Sequence, residues 1–396
     1  MKSSTTANIV AAKKNILQEN KGRIMSEWKE YKLGEIINLK RGYDLPNAVR
    51  KAGTVPVISS SGVSDYHNKP MQKPPGVITG RYGTIGQVFF AKDDYWPLNT
   101  TLYVQDFKGN DPLFIFYLLK VFDFTKYSDK SAVPGINRND VHSEKVSIPN
   151  TEEQIKIATI LSSLDDKIDL LHRQNKTLEQ LAETLFRQWF VEEAEESWAV
   201  GTLGDIFDIG IGRTPPRQEH LWFSTNPKDI KWVSIRDMGI SGIYIDQVSE
   251  YLTQEAVERF SIPIIPENTV LLSFKMTIGR IAISTEEMLS NEAIAHFKQK
   301  KNSRLFPEFL YLFLKRFRWE LLGSTSSIVE AINSKMIKEI ELTFPDEITL
   351  CNFKELITPY FVKIKSNQNQ MSTLTMLRDT LLPKLMSGEV RVKCNK

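Results

Sequence analysis

The 396-residue sequence is poor in the residues that build metal centres and disulfide frameworks. It has two cysteines, Cys351 and Cys394, and neither lies near a histidine or another cysteine in the sequence. We therefore expect no disulfide-stabilised secreted domain and no metal site, and we expect a cytoplasmic location. The histidines are scattered, and we expect each to be a surface or loop residue. They are His67, His142, His172, His220 and His296.

Long apolar runs are also absent. The longest, such as those at 114–119 and 309–314, fall far short of the length of a membrane span. Residues 1–25 lack the apolar core of a secretory signal, so the sequence predicts a flexible leader before a second plausible start at Met25.

The short motifs that mark many catalytic sites are missing. There is no GxxxxGK[ST], GxSxG, HExxH or CxxC. Gly80, Gly83 and Gly86 do not have the spacing of a dinucleotide-binding loop. Charge of one sign is not in marked excess either, since 51 Lys and Arg oppose 48 Asp and Glu. Charge alone therefore does not predict nucleic-acid binding, and we expect no catalytic residue in this chain.

What the sequence does contain is a long amphipathic segment at 148–191. Its apolar residues recur at alternating steps of three and four, which is the pattern of a helix that packs along another helix. They are Leu161, Leu164, Ile168, Leu171, Leu178, Ala182, Leu185 and Trp189. Thr151, followed by Glu153 and Gln154, resembles a helix start. At ~1.5 Å per residue, about 40 residues form a rod roughly 60 Å long, so a partner helix is required.

A second segment, 196 positions further along, has the same pattern. Its apolar residues are Ile357, Tyr360, Ile364, Met371, Leu374, Leu381 and Leu385. Asn367 and Arg378 fill the remaining positions, and Asn175 lies on the first apolar stripe. We predict that the two helices pair in antiparallel fashion and that Asn175 meets Asn367, because buried polar residues often fix helix register.

The repetition extends beyond the helices. WKEYKLGEI matches WAVGTLGDI, GTIGQVFF matches MTIGRIAI, PLFIFYLLK matches PEFLYLFLK, and GINRNDV matches AINSKMI. Length differences accumulate at 206–269, where we expect insertions. In the first copy, β-branched runs at 54–59, 76–79, 84–90 and 99–104 predict strands, and 113–122 predicts a helix.

The predicted fold class is α+β, with two similar mixed α+β domains separated by an antiparallel coiled coil of two long helices and related by a pseudo-twofold. The predicted boundaries are a leader at 1–25, a first domain at 26–150, the first long helix at 151–195, a second domain at 196–344, the second long helix at 345–390 and a tail at 391–396.

Polar and basic side chains in the loops of both copies suit phosphates and base edges. In the first copy the candidates are Arg41, Tyr43, Ser60, Arg81, Tyr82, Thr84, Lys130, Asn137 and Arg138. In the second copy they are Arg213, Arg217, Ser234, Arg236, Lys275, Thr277, Arg280, Asn333 and Lys335. An ordinary solvated loop residue is the alternative at each of these positions.

Several of these strings resemble type I restriction-modification specificity subunits. The segment that begins IPNTEEQIKIATILSSLDDKIDLL is similar to the central conserved helix of that family, and LRDTLLPKLMSGEV is similar to the distal one. KLGEI, TLGDI, the two TIG turns and SAVPGINRNDV resemble its target-recognition domains. The second copy departs from the pattern, because LTFPDEITLCNFKELI lacks the glutamine of the first helix start.

The resemblance implies that each globular domain reads one half of a bipartite double-stranded DNA sequence and that the coiled coil sets the spacer. It implies two modification (methyltransferase) subunits and restriction (translocase/endonuclease) subunits as partners, in a complex that methylates adenine. S-adenosylmethionine, ATP and Mg are then expected on those partners, with no cofactor bound by this chain and no association with a membrane.

Two other interpretations remain open at this point. A duplicated scaffold whose domains bind proteins instead of DNA uses the same coiled coil, and the charge balance does not exclude it. An enzyme that acts alone is disfavoured by the missing motifs.

Overall fold

The computed structural model describes residues 27–127, 135–301, 303–322 and 332–392. The predicted leader, the candidate Lys130 and most of the predicted tail lie outside the described residues. The chain divides into two compact units. Unit 1 comprises the residues up to Ile168 together with those from Thr373 onward, and unit 2 comprises Asp169–Ser372.

Unit 1 contains a mixed α+β globule. Its strands are β1 (Lys29–Lys32), β2 (Asn38–Arg41), β3 (Val55–Ser59), β4 (Gly62–His67), β5 (Gly76–Gly80), β6 (Val88–Ala91), β7 (Trp96–Pro97), β8 (Thr101–Asp106) and β9 (Lys145–Ile148). Its short helices are α1 (Leu33–Ile36), α2 (Pro112–Val121) and α3 (Arg138–His142). The strands form a β1-β9 pair, an antiparallel β2-β8-β5-β6 sheet and a β4-β3-β7 sheet.

After the first long helix, α4 (Thr151–Arg187), unit 2 repeats this plan with additions. Its strands are β10 (Ala199–Thr202), β11 (Phe207–Ile211), β12 (Phe223–Ser224), β13 (Ile230–Val233), β14 (Tyr244–Ile245), β15 (Glu250–Leu252), β16 (Val270–Ser273), β17 (Ile281–Ser284), β18 (Leu289–Ser290), β19 (Ile294–Gln299) and β20 (Glu341–Phe344). Its short helices are α5 (Leu203–Ile206), α6 (Ile235–Ile240), α7 (Gln254–Arg259), α8 (Pro307–Arg316) and α9 (Ser334–Lys338). The sheets are β10-β20, β11-β19-β16-β17-β14 and β12-β15-β13-β18.

The two strand orders confirm the predicted α+β class and the internal duplication. The order β2-β8-β5-β6 corresponds to β11-β19-β16-β17, and the parallel pair β3-β7 corresponds to β13-β18. The additional elements β12, α6, β14 and α7 all fall within 206–269. This confirms that the length differences between the copies are insertions into that stretch.

Each globule closes with a two-stranded ladder that leads into a long helix. Lys29 pairs with Ile148 in unit 1, and Ala199 pairs with Phe344 in unit 2. The first strand of each globule therefore lies beside its last strand, and the chain enters the helix directly after the ladder. This arrangement fixes where the globule joins the helix pair in each unit.

The long helices are α4 (Thr151–Arg187), which continues into a π-helical turn at Gln188–Glu192, and α10 (Glu347–Met386). The first long helix begins at Thr151, where the sequence predicts its start. The Asn150 side chain accepts a hydrogen bond from the Glu153 backbone, so Asn150 is the capping residue. Asp346 caps the second helix in the same way, through the Thr349 backbone.

The two long helices run antiparallel within each unit. In unit 1, Arg378 of α10 pairs with Asp165 at 2.9 Å, and Arg391, in the segment just after α10, pairs with Glu153 at 2.7 Å. Residue numbers therefore rise along one chain direction as they fall along the other. In unit 2, Phe353 packs against Phe190 near the end of α4. The predicted apolar stripes lie at these contacts, and Leu161, Leu171, Ala182, Ile357, Ile364, Met371, Leu381 and Leu385 are buried.

Two local predictions are wrong. The predicted strand at 84–90 is a strand only over Val88–Ala91, because Gly83 and Gly86 adopt positive φ and hold the preceding residues in a turn. The histidines are not all surface residues. His67 and His296 are buried within strands, because the apolar face of the imidazole packs well there.

Candidate functional site

The polar loops of unit 1 meet at one edge of its globule. We call this place junction 1; it comprises residues 41–44, 97–101, 81–82 and 135–136. Backbone hydrogen bonds join it: Gly42 N to Thr101 O (3.0 Å), Tyr43 N to Pro97 O (2.8 Å), Leu98 N to Ile58 O (2.9 Å), Arg81 N to Thr100 O (2.8 Å) and Ile136 N to Arg81 O (3.0 Å). Loops that are distant in sequence are therefore held in one fixed arrangement.

Unit 2 builds the same arrangement, which we call junction 2, from residues 212–214, 233–234, 274 and 290–293. Four of its backbone hydrogen bonds match those of junction 1: Gly212 N to Ile294 O (3.3 Å), Arg213 N to Ser290 O (2.9 Å), Asn291 N to Val233 O (3.2 Å) and Phe274 N to Ala293 O (3.0 Å). The duplication predicted from sequence therefore extends to the hydrogen bonds of the loops.

A glycine stands at the closest approach in each junction. A Cβ atom on Gly42 would lie 2.1 Å from the Leu98 carbonyl oxygen, and one on Gly212 would lie 2.1 Å from that of Ser290. Neither distance is possible for a real side chain, so both positions require glycine. Tyr43 and Arg213 directly follow these two glycines in the chain.

The exposed side chains of the two junctions differ although the backbone is shared. In junction 1, Asp44 accepts a hydrogen bond from Asn99. In junction 2 the corresponding pair is Thr214, which donates to Glu292. The two edges thus present different sets of donors and acceptors on one scaffold.

Junction 1 brings together several predicted site residues. Arg41 lies at its exposed edge and pairs with Asp44 at 3.2 Å. The Tyr43 hydroxyl lies 2.8 Å from that of Tyr103, a buried group whose pKa is raised by burial and by this hydrogen bond. The Arg81 guanidinium donates to the Ile136 carbonyl and covers the Tyr82 ring, so it also braces the loop.

Ser60 and Thr84 lie at the turn beside junction 1. Ser60 Oγ is 3.3 Å from the Cβ position of Gly83, and Thr84 is exposed on the same turn. Asn137 accepts a hydrogen bond from the Asn139 backbone as the cap of α3, and Arg138 is exposed on that helix. Asn137 therefore has a structural role in addition to any contact with a ligand.

The candidates of unit 2 are more dispersed. Arg213 donates to the Phe260 and Ser261 carbonyls from junction 2. Arg217 forms an ion pair with Glu250 at 2.9 Å and lies over the Phe223 ring. Both guanidiniums are therefore held by the protein.

The remaining candidates fall into three groups. Ser234 caps α6, and Asn333 caps α9. The Arg280 guanidinium is half-buried and donates to the Ile235 carbonyl at 2.6 Å. Four others are exposed, on α6, on the turn after β16 and on α9. They are Arg236, Lys275, Thr277 and Lys335.

Sequence reasoning missed Asn99 and Glu292, which lie at the centre of the two junctions. The loops that contain Asn99 and Glu292 align at a different offset from the loops that contain their partners Asp44 and Thr214. The two residues of each pair also lie far apart in sequence. It also missed Met276. The sequence contains a signal for this residue, since Met276 replaces Gly83 in the otherwise shared TIG turn.

Burial controls the ionisation of His296, which lies in β19 beside junction 2. Burial lowers the pKa of His296 to about 4, so the imidazole is neutral near pH 7. Within the described ranges no cluster of His, Cys, Asp and Glu has the arrangement of a metal site. The same part of the chain contains no helix that is both long enough and apolar enough to cross a membrane. The junctions offer hydrogen-bond donors, acceptors and cations on a rigid frame.

Comparisons with known proteins point to one family. The type I restriction modification DNA specificity domain matches residues 25–180 and again residues 195–349. The MjaIX type I restriction enzyme specificity subunit of Methanocaldococcus jannaschii is 25% identical over 435 residues, covering 94% of this chain and 95% of that protein. The HindI specificity subunit of Haemophilus influenzae is 25% identical over 466 residues, covering 92% and 100%.

A similar fold is found among solved structures. The S subunit of a type I restriction-modification system from M. genitalium aligns with a TM-score of 0.61 at 19% sequence identity. The alignment covers 94% of this chain and 98% of that one. The likeness therefore concerns the fold of nearly the whole chain.

Proposed function

Because the chain belongs to the family of type I restriction modification DNA specificity domains and contains two copies of the domain, we propose that each globule reads one half of a bipartite double-stranded DNA sequence. The first half-site is read at junction 1 and the second at junction 2. In this role the chain binds and orients DNA and supplies no catalytic residue.

The proposal rests on one observation: junctions 1 and 2 share their backbone hydrogen bonds but carry different side chains. Tyr43, Asp44 and Asn99 in junction 1 correspond to Arg213, Thr214 and Glu292 in junction 2. Different base pairs present different donors and acceptors in the major groove, so two readers of different sequences need different side chains on equivalent backbones. The shared backbone with different donors and acceptors is the arrangement that two readers of different half-sites require.

We further propose that the paired long helices set the number of unread base pairs between the half-sites. Their duplicated surfaces would each receive one modification (methyltransferase) subunit. Those subunits would bring S-adenosylmethionine and methylate adenine, and restriction subunits would bring ATP and Mg. The support for this is family membership together with a pair of long helices whose apolar residues are buried in the cores of both units.

Binding of the full chain, in complex with its methyltransferase subunit, to defined DNA tests the first proposal. The site is first located from methylated adenines in the source genome, and each half is then scrambled in turn in a mobility-shift assay. Replacing Tyr43 and Asn99 by Ala should weaken recognition of one half only, and replacing Glu292 by Ala should affect the other half only. Lys92→Ala removes an exposed cation that pairs with Asp166, outside the junctions, and serves as the control.

Binding that ignores sequence would contradict the proposal and favour the protein scaffold. Substitutions that affect both halves equally would contradict the assignment of one half to each junction.

The spacer proposal has its own test. Seven residues inserted into α4 after Asn175, with seven inserted into α10 before Asn367, preserve the apolar period of the pair. They lengthen it by ~10 Å, or about three base pairs at ~3.4 Å each. The preferred gap between the half-sites should grow accordingly. An unchanged gap in a folded, DNA-binding variant would show that the helices do not set it.

A further inference from the structure

One residue in unit 2 has a conformation and an exposure that its packing does not explain. Met276 lies in a seven-residue loop, 274–280, between the antiparallel strands β16 and β17. The equivalent loop of unit 1, 81–87, lies between β5 and β6 and has the same length. The two loops share the TIG sequence, and Met276 takes the place of Gly83.

The backbone at this position favours glycine. Gly83 has a φ of 77°, and Met276 has a φ of 59°. Thr277 N donates to Lys275 O at 2.7 Å across Met276, which makes a tight three-residue turn with positive φ at its centre. A turn of this kind is rare and strained for a residue with a side chain.

Among the residues that the structure describes, no packing contact of the Met276 side chain offsets this strain. Met276 is 94% exposed, and Ile278 beside it is 44% exposed. Unit 2 therefore presents an unbranched apolar side chain to solvent on a backbone that glycine would fit better. Strained positions of this kind cluster at functional sites, because the surrounding structure must hold them in place.

The loop is built to hold that position. The Ser273 hydroxyl donates to the Thr277 carbonyl at 2.6 Å and accepts from Arg280 N at 3.1 Å. Gly279, with a φ of 85°, packs against the Trp319 ring. Gly80 of unit 1 occupies the position of Ser273 and has no hydroxyl. The two hydrogen bonds of the Ser273 hydroxyl are therefore specific to the copy that carries Met276.

The same loop belongs to the proposed DNA-reading edge. Phe274 N donates to the Ala293 carbonyl of junction 2, next to Glu292. Lys275 and Thr277 are exposed on either side of Met276 and suit phosphate oxygens. With Lys275 and Thr277 at phosphate oxygens, the apolar Met276 side chain between them would lie close to the edge of a base.

We propose that Met276 contacts the C5-methyl group of a thymine in the half-site read by unit 2, and that unit 1, with Gly83, makes no equivalent contact. This inference rests on the proposed function and names one determinant of its specificity. The thymine methyl is the apolar group that the base pairs present in the major groove. A flexible thioether side chain fits against such a group without requiring a fixed geometry.

Replacing thymine by uracil in the DNA tests the inference, because uracil lacks only the methyl group. With the complex of this chain and its methyltransferase subunit, one such replacement in the second half-site should weaken binding about four-fold, the value of one buried methyl group. Replacements in the first half-site should have no comparable effect. The Met276→Gly variant should bind the thymine and uracil forms equally, while Met276→Leu should retain the preference.

Ile240→Ala is the matched control, since Ile240 is a second exposed apolar residue of unit 2, at 77% exposure, and should leave the preference unchanged. Met276→Gly should not lower the thermal unfolding temperature, because glycine relieves the positive φ. Three results would overturn the inference. The Met276→Gly variant could still prefer thymine over uracil, or the wild-type complex could bind equally well after every thymine-to-uracil replacement. The second half-site could also contain no thymine on either strand. In all three cases selective binding to the split site persists, whereas its loss in the wild-type complex would reject the proposed function itself.

Discussion

Asn367 donates a hydrogen bond from Nδ2 to Oδ1 of Asn175 at 2.8 Å, across the two long helices of unit 2. Asn367 is fully buried, and Asn175 also donates to the Ile364 carbonyl at 3.4 Å. The contact predicted from the two apolar stripes is thereby confirmed. A polar pair within an apolar stripe stabilises one alignment of the helices over others that would leave an amide unpaired.

Replacing Asn367 by Ala should lower the free energy of unfolding by about 1–3 kcal/mol, because it leaves the Asn175 amide without this partner. Replacing both residues by Leu should restore most of the loss, since an apolar pair suits the stripe. Urea unfolding followed by tryptophan fluorescence measures both effects. If the double variant were as unstable as Asn367→Ala, the amides would not be coupled, and the register would have another cause.

The two long helices and the contact between them could be predicted because the apolar residues that define each helix recur at a regular spacing in one continuous segment. A stripe with a step of three or four residues defines a face, and the repeat at 196 positions supplies its partner. The class, the duplication and the site of the insertions follow from the same comparison. These features depend on residue spacing, which the sequence shows directly.

The junctions could not be predicted in the same way. Asp44 meets Asn99, and Thr214 meets Glu292, only because strands far apart in sequence become neighbours in a sheet. Residues 84–87 lie in a turn although the sequence predicts a strand at 84–90. Thr84 and Ile85 favour a strand, whereas the positive φ of Gly83 and Gly86 is set by the fold. Arg81 and Arg280 are predicted DNA contacts, yet each guanidinium also donates to a backbone carbonyl.

A buried ion pair joins the start of α4 to the segment after α10. The Arg391 Nε and Nη2 atoms each lie 2.7 Å from a Glu153 carboxylate oxygen, and the Glu153 side chain is 2% exposed. Arg391→Met should cost about 3–5 kcal/mol, because it deprives a buried carboxylate of this partner. Changing both residues to Met should cost much less, as measured by urea unfolding.

The exposed pair of Lys145 and Glu30, at 2.8 Å, provides the comparison. Lys145→Met should cause no measurable change, since water screens both groups. If Arg391→Met and Lys145→Met lowered the free energy of unfolding equally, burial of Glu153 would not increase the contribution of its ion pair to stability.

Lys275 and Arg280 lie on one loop but should respond to substitution in different ways. Lys275 is exposed, so Lys275→Ala should leave stability unchanged and reduce the slope of log affinity against log salt by about one. Arg280 donates to the Ile235 carbonyl at 2.6 Å, so Arg280→Ala should lower the unfolding free energy by about 1.5–3 kcal/mol. Salt titrations of DNA binding and thermal unfolding separate the two effects. A Lys275→Ala variant with an unchanged salt slope would remove this residue from the DNA interface.

His296 should make unit 2 sensitive to acid. The residue is fully buried in β19 opposite Gly210, and burial, aided by nearby Lys298, lowers its pKa from 6.5 to about 4. Because the folded pKa lies below the unfolded one, the unfolded state binds the proton more readily. The stabilising effect of neutral His296 is complete above about pH 6.5 and is lost as the pH falls towards 4. The loss amounts to roughly 3 kcal/mol.

Urea unfolding at a series of pH values measures this dependence. His296→Leu should flatten the decline between about pH 6.5 and 4, whereas His172→Gln, at an exposed position, should leave the wild-type curve unchanged. Other groups titrate in the same range, so the informative quantity is the difference between wild type and variant at each pH. A difference that stays constant from pH 7 to 4 would mean that the His296 imidazole takes up its proton equally in the folded and unfolded states, and burial would then have no effect on its ionisation.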